Sequence, residues 1–202
     1  MVDDITIRAP LPADHLEMAA LIESLIPRYL ARELTVEGIA FLRENAEAGM
    51  IGARLGGLIY PAWSPALVAV SGSRVVGFGA VRNETHITQV QVAEGWHGRG
   101  IGARLVRALA KAVHQRHPQA QSITLNAASG ALLAYMRMGF VPVGPRWLWR
   151  GIIAQPMAIR ISDLIQRKAP RAPIRHSAPA QPRSRAKHRG LSLGKAGAPA
   201  RG

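Results

Sequence analysis

The sequence predicts an α/β domain of the α+β type: a mixed, mostly antiparallel sheet of about six to seven strands with helices on both faces, followed by a disordered C-terminal tail. Three observations carry this. Residues 5–9 (ITIRA) alternate as a strand and run into an amphipathic segment; residues 65–93 hold three β-rich runs in succession; and a glycine-rich turn at 98–102 switches abruptly into a helical repeat of apolar residues. Residues 1–166 are expected to form the domain and residues 167–202 the tail.

PADHLEMAALIESLI follows the first strand with apolar residues at helical spacing behind Asp14, a helix-start residue. A second helix is expected from about Thr35 through LTVEGIAFLRENA, whereas the glycine-spaced stretch 49–60 fits neither period. PALVAVSGSRVVGFGAVRN is two strands around Ser71-Gly72-Ser73, and THITQVQVA is a third antiparallel strand. IGARLVRALAKAV then places Ile101, Leu105, Ala108, Leu109, Ala112 and Val113 on one helical face until Pro118 stops it. SITLNA is a strand after that helix, hence parallel to the strand before it. A short helix over 129–138 ends at Gly139, and FVPVG and WLWRGIIAQPMAIRI finish as strands.

The chain has 202 residues, no cysteine and a net charge of +14. The missing thiol excludes disulfides, a zinc ribbon and a cysteine nucleophile, and fits a cytoplasmic setting. MVDDITIRAP lacks the apolar run of a signal segment and no stretch approaches a membrane span, so no membrane association is expected. The charge suggests a polyanion partner, but its distribution is uneven. Residues 167–202 carry 10 Lys and Arg and no acid, which leaves 16 bases against all 12 acids in residues 1–166. That Pro-, Ala- and Arg-rich segment has no periodic apolar face to offset the entropy of ordering it. It reads either as an idle solvated tail or as an arm making a weak contact to nucleic acid or another polyanion.

The stretch WHGRGIGARL, residues 96–105, spaces three glycines two apart between a strand and a helix. That arrangement offers unpaired backbone N–H groups and the positive end of a helix dipole to a phosphate; a tight turn without a ligand is the plain alternative. A P-loop is excluded because no Lys-Ser or Lys-Thr occurs in the chain. A dinucleotide fingerprint is matched by Gly98, Gly100 and Ala103, yet no acid occurs between Glu94 and Asp163 to hold a ribose.

VAEGWHGRGIGARL resembles the central motif of the GNAT superfamily of acetyl-coenzyme A dependent N-acetyltransferases, in which a strand ending V-x-P leads to Q/R-x-x-G-x-G/A at a helix start. Val92 closes the strand and Gly100 and Gly102 fill the glycine positions; His97 stands where Gln or Arg is usual, and Glu94 where Pro is common. LNAASGALLAYMRMGFVPVG is similar to the family's later motif, with Asn126 at a strand end and Tyr135, Gly139 and Phe140 at the family's spacing. GPRWLWRGIIAQPMAIRI resembles the closing strands of a bacterial subgroup, so the likeness spans about residues 5–162.

The resemblance implies an acyl-CoA N-acyltransferase fold, acetyl-CoA as acetyl donor, and direct transfer to a primary amine of a small molecule or a protein, without a metal. It implies that the edge of Val90-Gln91-Val92 pairs with the pantetheine arm, where two strands splay apart. It gives the turn Gly98, Arg99, Gly100, Ile101, Gly102 and Ala103 to the pyrophosphate, His97 to the coenzyme site beside it, Asn126 to the facing strand end, and Arg99, Arg104 and Arg137 as candidates for phosphate charge. Tyr135 takes the position of the acid that protonates the departing thiolate, since a phenol with a reference pKa of about 10 stays protonated at neutral pH. Glu33, Glu37, Glu84 and His86 remain open as the base, and Trp63, Trp147 and Trp149 as acceptor-pocket walls. His114 and His117 lack a third ligand, so no metal site is expected. The competing class is a silent acyl-CoA-binding or nucleic-acid-binding adaptor that uses the tail. The sequence carries no signature of the acceptor or of oligomeric state.

Overall fold

Strand β1 (Ile5–Arg8) opens a sheet whose other members are β2 (Ala66–Ser71), β3 (Arg74–Arg82), β4 (His86–Val92), β5 (Ser122–Ala128), β6 (Val141–Pro142), β7 (Trp147–Trp149) and β8 (Ile152–Arg160). The structure, a computed structural model, describes residues 4–29, 34–58, 62–149 and 151–166; Glu33, Tyr60 and the basic segment from Arg167 onward lie outside the described residues. The strands are ordered β1-β2-β3-β4-β5-β8-β6, with β7 also on β8, so the sheet has eight strands among the described residues, against about six to seven expected. All neighbours are antiparallel except β4 and β5.

Among the described residues six helices cover the two faces: α1 (His15–Tyr29), α2 (Val36–Ala46) and α3 (Ala48–Leu55) on one, α4 (Ile101–Arg116) and α6 (Ile161–Gln166) on the other, with α5 (Leu132–Met138) following β5. Met18, Leu21, Ile22 and Ile51 from the first group bury against Val68, Val70, Phe78 and Ala80. On the opposite face Leu105, Leu109 and Val113 of α4 are fully buried. Two glycines of β3 allow α4 to lie this close. A Cβ on Gly77 would stand 2.8 Å from the Gln91 carbonyl oxygen and 3.3 Å from Leu105, and one on Gly79 would stand 2.9 Å from Leu109.

The expected β2–β3 hairpin turns at Gly72-Ser73, with Gly72 at φ 59°. Thr35 caps α2 by accepting a hydrogen bond from the Gly38 N–H, and Gly139 ends α5 in the left-handed region at φ 99°. The stretch that fitted neither period holds all but the first residue of α3, and the C-terminal end of the last predicted strand turns into α6 at Ile161. Pro156 tolerates a place inside the sheet because the partner beyond β8 is broken there into β6 and β7, and its carbonyl accepts from Val143 in the gap.

Asp14 starts α1 through more than the helix-start preference. Its nearly buried carboxylate takes both Arg8 guanidinium nitrogens, at 2.6 and 3.0 Å, and the Leu11 N–H at 2.6 Å, so it clamps the β1–α1 connection. The hydrogen bonds from Arg8 outweigh burial and hold its pKa below the usual 3.8. The clamp's stability is therefore complete above about pH 4, where an unfolded aspartate is ionised, and is lost as pH falls through the lowered native value. Asp14→Asn is expected to cost about 1–3 kcal/mol at pH 7 by denaturant unfolding, with the gap to wild type narrowing below pH 4. An equal gap at pH 7 and pH 3 would show that the charge is irrelevant.

Candidate functional site

β4 and β5 run parallel yet pair only at His86↔Thr124 and Ile87↔Leu125. Beyond that junction each strand keeps its outer partner: β4 stays on β3 as far as Gly77↔Val92, and β5 stays on β8 as far as Ala128↔Ala154. The inner edges from Thr88 to Val92 and from Asn126 to Ala128 thus have no strand partner among the described residues, and the sheet opens there into a V. Extended backbone with unpaired N–H and C=O groups is a template for an added strand or a strand-like ligand.

The β4 arm is not regular. Ala80 faces Gln89 while Val81 faces Ile87, so Thr88 is an extra residue, a β-bulge halfway along the open edge. Ile87, Val90 and Val92 contact the core on the α4 face. The Gln91 side chain donates to the Gln89 side-chain Oε1 at 3.0 Å, and His86 Nδ1 lies 2.9 Å from Thr124 Oγ1 at the junction. Asn126 shares the parity of Thr124 on β5, whose Ile123, Leu125 and Ala127 point into the core. A polar, half-buried set of side chains therefore borders the V on the face away from α4.

The β4 arm leads through a 3-10 turn, Glu94–Trp96, to the glycines. Gly98 and Gly100 take φ of 75° and 77°, and Gly100 is the N-cap of α4 with no side-chain cap. The first intrahelical bond is Arg104 N–H to the Gly100 carbonyl, which leaves the amides of Ile101, Gly102 and Ala103 without an intrahelical acceptor at the positive end of the helix. A Cβ on Gly98 or Gly100 would meet nothing within 4 Å, and one on Gly102 only Val92 at 3.8 Å. The space above the turn is open.

Side chains around the turn divide by what they touch. His97 Nε2 lies 2.7 Å from the Val92 carbonyl, pinning the turn to the strand end. The Arg99 guanidinium stacks 4.6 Å above the Trp96 ring. Arg104 donates to the Ile5 carbonyl at 2.6 Å, a tie between α4 and β1. Arg137 is exposed on α5. α5 springs from the tip of the β5 arm, so Tyr135 and Arg137 stand on the β5 side of the V and the glycine turn on the β4 side.

Tyr135 packs edge-on to Phe140, centroids 5.6 Å apart, and nothing among the described residues hydrogen-bonds its hydroxyl. Burial pushes its phenol up to about 12. His86 moves the other way, to about 4, because burial and then the charge of Arg82 disfavour the imidazolium; its ring is neutral at pH 7. Of the other base candidates Glu37 and Glu84 are exposed, Glu84 lying 3.9 Å from His117. No group of three metal-ligating side chains occurs among the described residues. Trp63 is core, against Phe78, while Trp147 is 44 % exposed. Thr88, Gln89 and Thr124, which border the V, lie outside the sequence motifs. The alternation of HITQVQV held part of the signal, because a central strand with His and Gln on one face needs something polar there.

The site is thus an open sheet split between two parallel strands, with an uncapped glycine turn beside the split. Residues 64–161 match the family model described as Acetyltransferase (GNAT) domain. Among solved structures the chain is similar to a GCN5-related N-acetyltransferase from Rhodopseudomonas palustris, with 24 % identity, TM-score 0.66, and 79 % of this chain and 98 % of that one covered. It is also similar to the PaiA N-acetyltransferase from Thermoplasma acidophilum in complex with coenzyme A, with 16 % identity, TM-score 0.64, and coverage of 78 % and 99 %. These likenesses show the fold. A search of curated proteins finds no match to the chain. Residues 64–161 thus carry a GNAT acetyltransferase domain, and the fold supports acyl transfer in general. No described helix is long and apolar enough to cross a membrane.

The three glycines are not equivalent. Positive φ explains Gly98 and Gly100 by conformation alone, whereas Gly102 is an ordinary helical residue with room for a side chain. Gly102→Val is therefore expected to fold, with a change in stability within about 1 kcal/mol, and to weaken acetyl-CoA binding by at least tenfold in calorimetry. Unchanged affinity would show that no ligand approaches the backbone at this point.

Proposed function

We propose that the chain moves the acetyl group of acetyl-CoA to a primary amine by direct attack on the thioester. The observation that carries this reading is the unpaired edge of β4 followed, across the turn at 93–100, by uncapped amides at the start of α4. The two features suit the two ends of one ligand, an extended amide-bearing arm and a pyrophosphate. In this reading Val90, Gln91 and Val92 hold the arm by their backbone, and Gly98, Arg99, Gly100, Ile101, Gly102 and Ala103 surround the pyrophosphate. His97 acts by fixing the turn rather than by touching phosphate. Arg99 and Arg137 supply charge from the two sides of the V, Arg104 serves β1, and Asn126 borders the opening from β5. Residues 1–166 form the transferase domain and 167–202 a separate basic tail.

Acetyl-CoA brings an activated carbonyl and a sulfur leaving group. The bulge at Thr88 turns backbone donors out of the ladder beside the junction, where one can stabilise a developing oxyanion. His86 is the base candidate placed at the junction itself. With a proton on Nδ1 shared with Thr124, its Nε2 accepts the proton that the amine sheds. Tyr135 donates to the departing sulfur. A phenol near 12 keeps its proton at any physiological pH, and against a thiol reference of about 8.5 it acts chiefly as a hydrogen-bond donor while the carbon–sulfur bond breaks. The proton lost by the amine balances the one gained by the thiol.

Thiol release from acetyl-CoA across a panel of amines, polyamines, aminoglycosides, amino acids and peptides tests the activity and finds the acceptor. With that acceptor, Tyr135→Phe keeps the ring contact with Phe140 and is expected to lower turnover by roughly 10²–10⁴ at saturating acetyl-CoA, with melting temperature and coenzyme affinity unchanged. Wild-type turnover would remove Tyr135 from the chemistry and make solvent the proton donor.

A further inference from the structure

Acids and bases are divided sharply along the folded chain. Residues 95–162 contain nine Arg and Lys and no Asp or Glu, whereas residues 1–94 contain seven bases against eleven acids. Much of the excess falls on α4, where Arg107, Lys111 and His114 recur at i, i+4 and i+7 along one face, with Lys111 and His114 exposed. His114 also lines a cleft of about 480 Å³ between the C-terminal half of α4 and the β8–α6 junction, with Gln121, Arg160, Ser162 and Gln166 as its other polar residues and Ala120, Ile161 and Ile165 as its apolar floor. The five polar residues all carry hydrogen-bond donors and none is an acid. Neither Arg160 nor His114 has an ion-pair partner among the described residues; Asp163 faces Ser162 at 3.4 Å, and Glu84 pairs with His117.

The helix dipole accounts for His114 and Arg116 in the last turn of α4. It does not account for Arg160 on another element, for Lys111, or for the missing acids. The charge also continues in sequence: Gln166 lines the cleft, and the next residues are Arg167 and Lys168 of a segment with ten bases.

We propose that this cleft and the α4 stripe bind the phosphate backbone of a nucleic acid without reading its bases. A row of donors and cations along a helix suits a ligand that presents phosphate at regular intervals. No Trp, Tyr or Phe lines the cleft, so bases have no stacking platform. An anionic membrane fits less well, since none of the strongly exposed apolar side chains of the described residues lines the cleft for insertion. At 1.5 Å per residue His114 stands about 20 Å along α4 from Gly100, so this surface and the glycine turn are separate sites.

The test titrates the full chain with a fluorescently labelled 24-base-pair DNA duplex of mixed sequence between 50 and 200 mM salt, at pH 7.5, with and without saturating acetyl-CoA. Wild type is expected to bind with a steep salt dependence that acetyl-CoA leaves unchanged. Lys111→Gln/Arg160→Gln is expected to bind at least tenfold more weakly, with a log–log salt slope shallower by about 2, and to keep wild-type melting temperature and acetyl-CoA affinity. Should the double variant melt lower, Lys111→Gln alone carries the test, with a slope change of about 1. Wild-type slope and affinity in the variants would overturn the proposal in favour of the tail segment alone. Absent binding, or competition by acetyl-CoA, would overturn it too. So would a variant that loses binding to phosphatidylserine vesicles while keeping DNA binding.

Discussion

Two parallel strands joined at only two residue pairs set the terms for the rest of this molecule. A split in a sheet exposes backbone groups that water or a partner must satisfy, and it removes the ladder that would hold the halves together. The halves are secured from outside instead. β3 grips β4 to its end and β8 grips β5 over seven residue pairs, while α4 and α6 bury Leu109, Val113, Ile161 and Leu164 together with Leu125, Ile159 and Phe140 beneath the junction. Gly77 and Gly79 belong to the same solution, because they let α4 approach β3 closely enough to fill the space under the β4 arm.

The constraint also explains where polar residues occur in a central strand. His86, Gln89 and Gln91 would be costly on a strand covered on both faces. Beside an opening they pair with Thr124 or with each other. The left-handed glycines continue the logic, ending the β4 arm in a turn whose amides have no protein acceptor within the helix.

The elements with a local cause were legible in the sequence. Ser71-Gly72-Ser73 forced a hairpin, the apolar period of 101–113 a helix, and Gly139 a helix end. Glycines 49, 52, 56 and 57 hid α3, whose formation is decided by tertiary packing: Ile51 is fully buried, and Gly52 sits where a Cβ would stand 3.1 Å from His15. α6 was hidden because its Ile161 and Leu164 adjoin a strand of similar composition. In the site, the glycine turn and the strand before it could be read from spacing. The Thr88 bulge could not, since it is a register shift against β3, and neither could the use of Arg104 on the Ile5 carbonyl, a contact 99 residues away in sequence.

The central claim is that the open edge of β4 and the first amides of α4 are occupied together by one ligand. Amide hydrogen exchange on the full chain, with and without saturating acetyl-CoA, tests it directly. The account predicts slowed exchange at two separated segments, within Thr88–Val92 and at Ile101–Ala103, with little change in α1 or β2. Protection of the α4 amides alone, with the β4 edge exchanging as before, would mean that the turn binds a phosphate and the split strands do not hold the acyl donor.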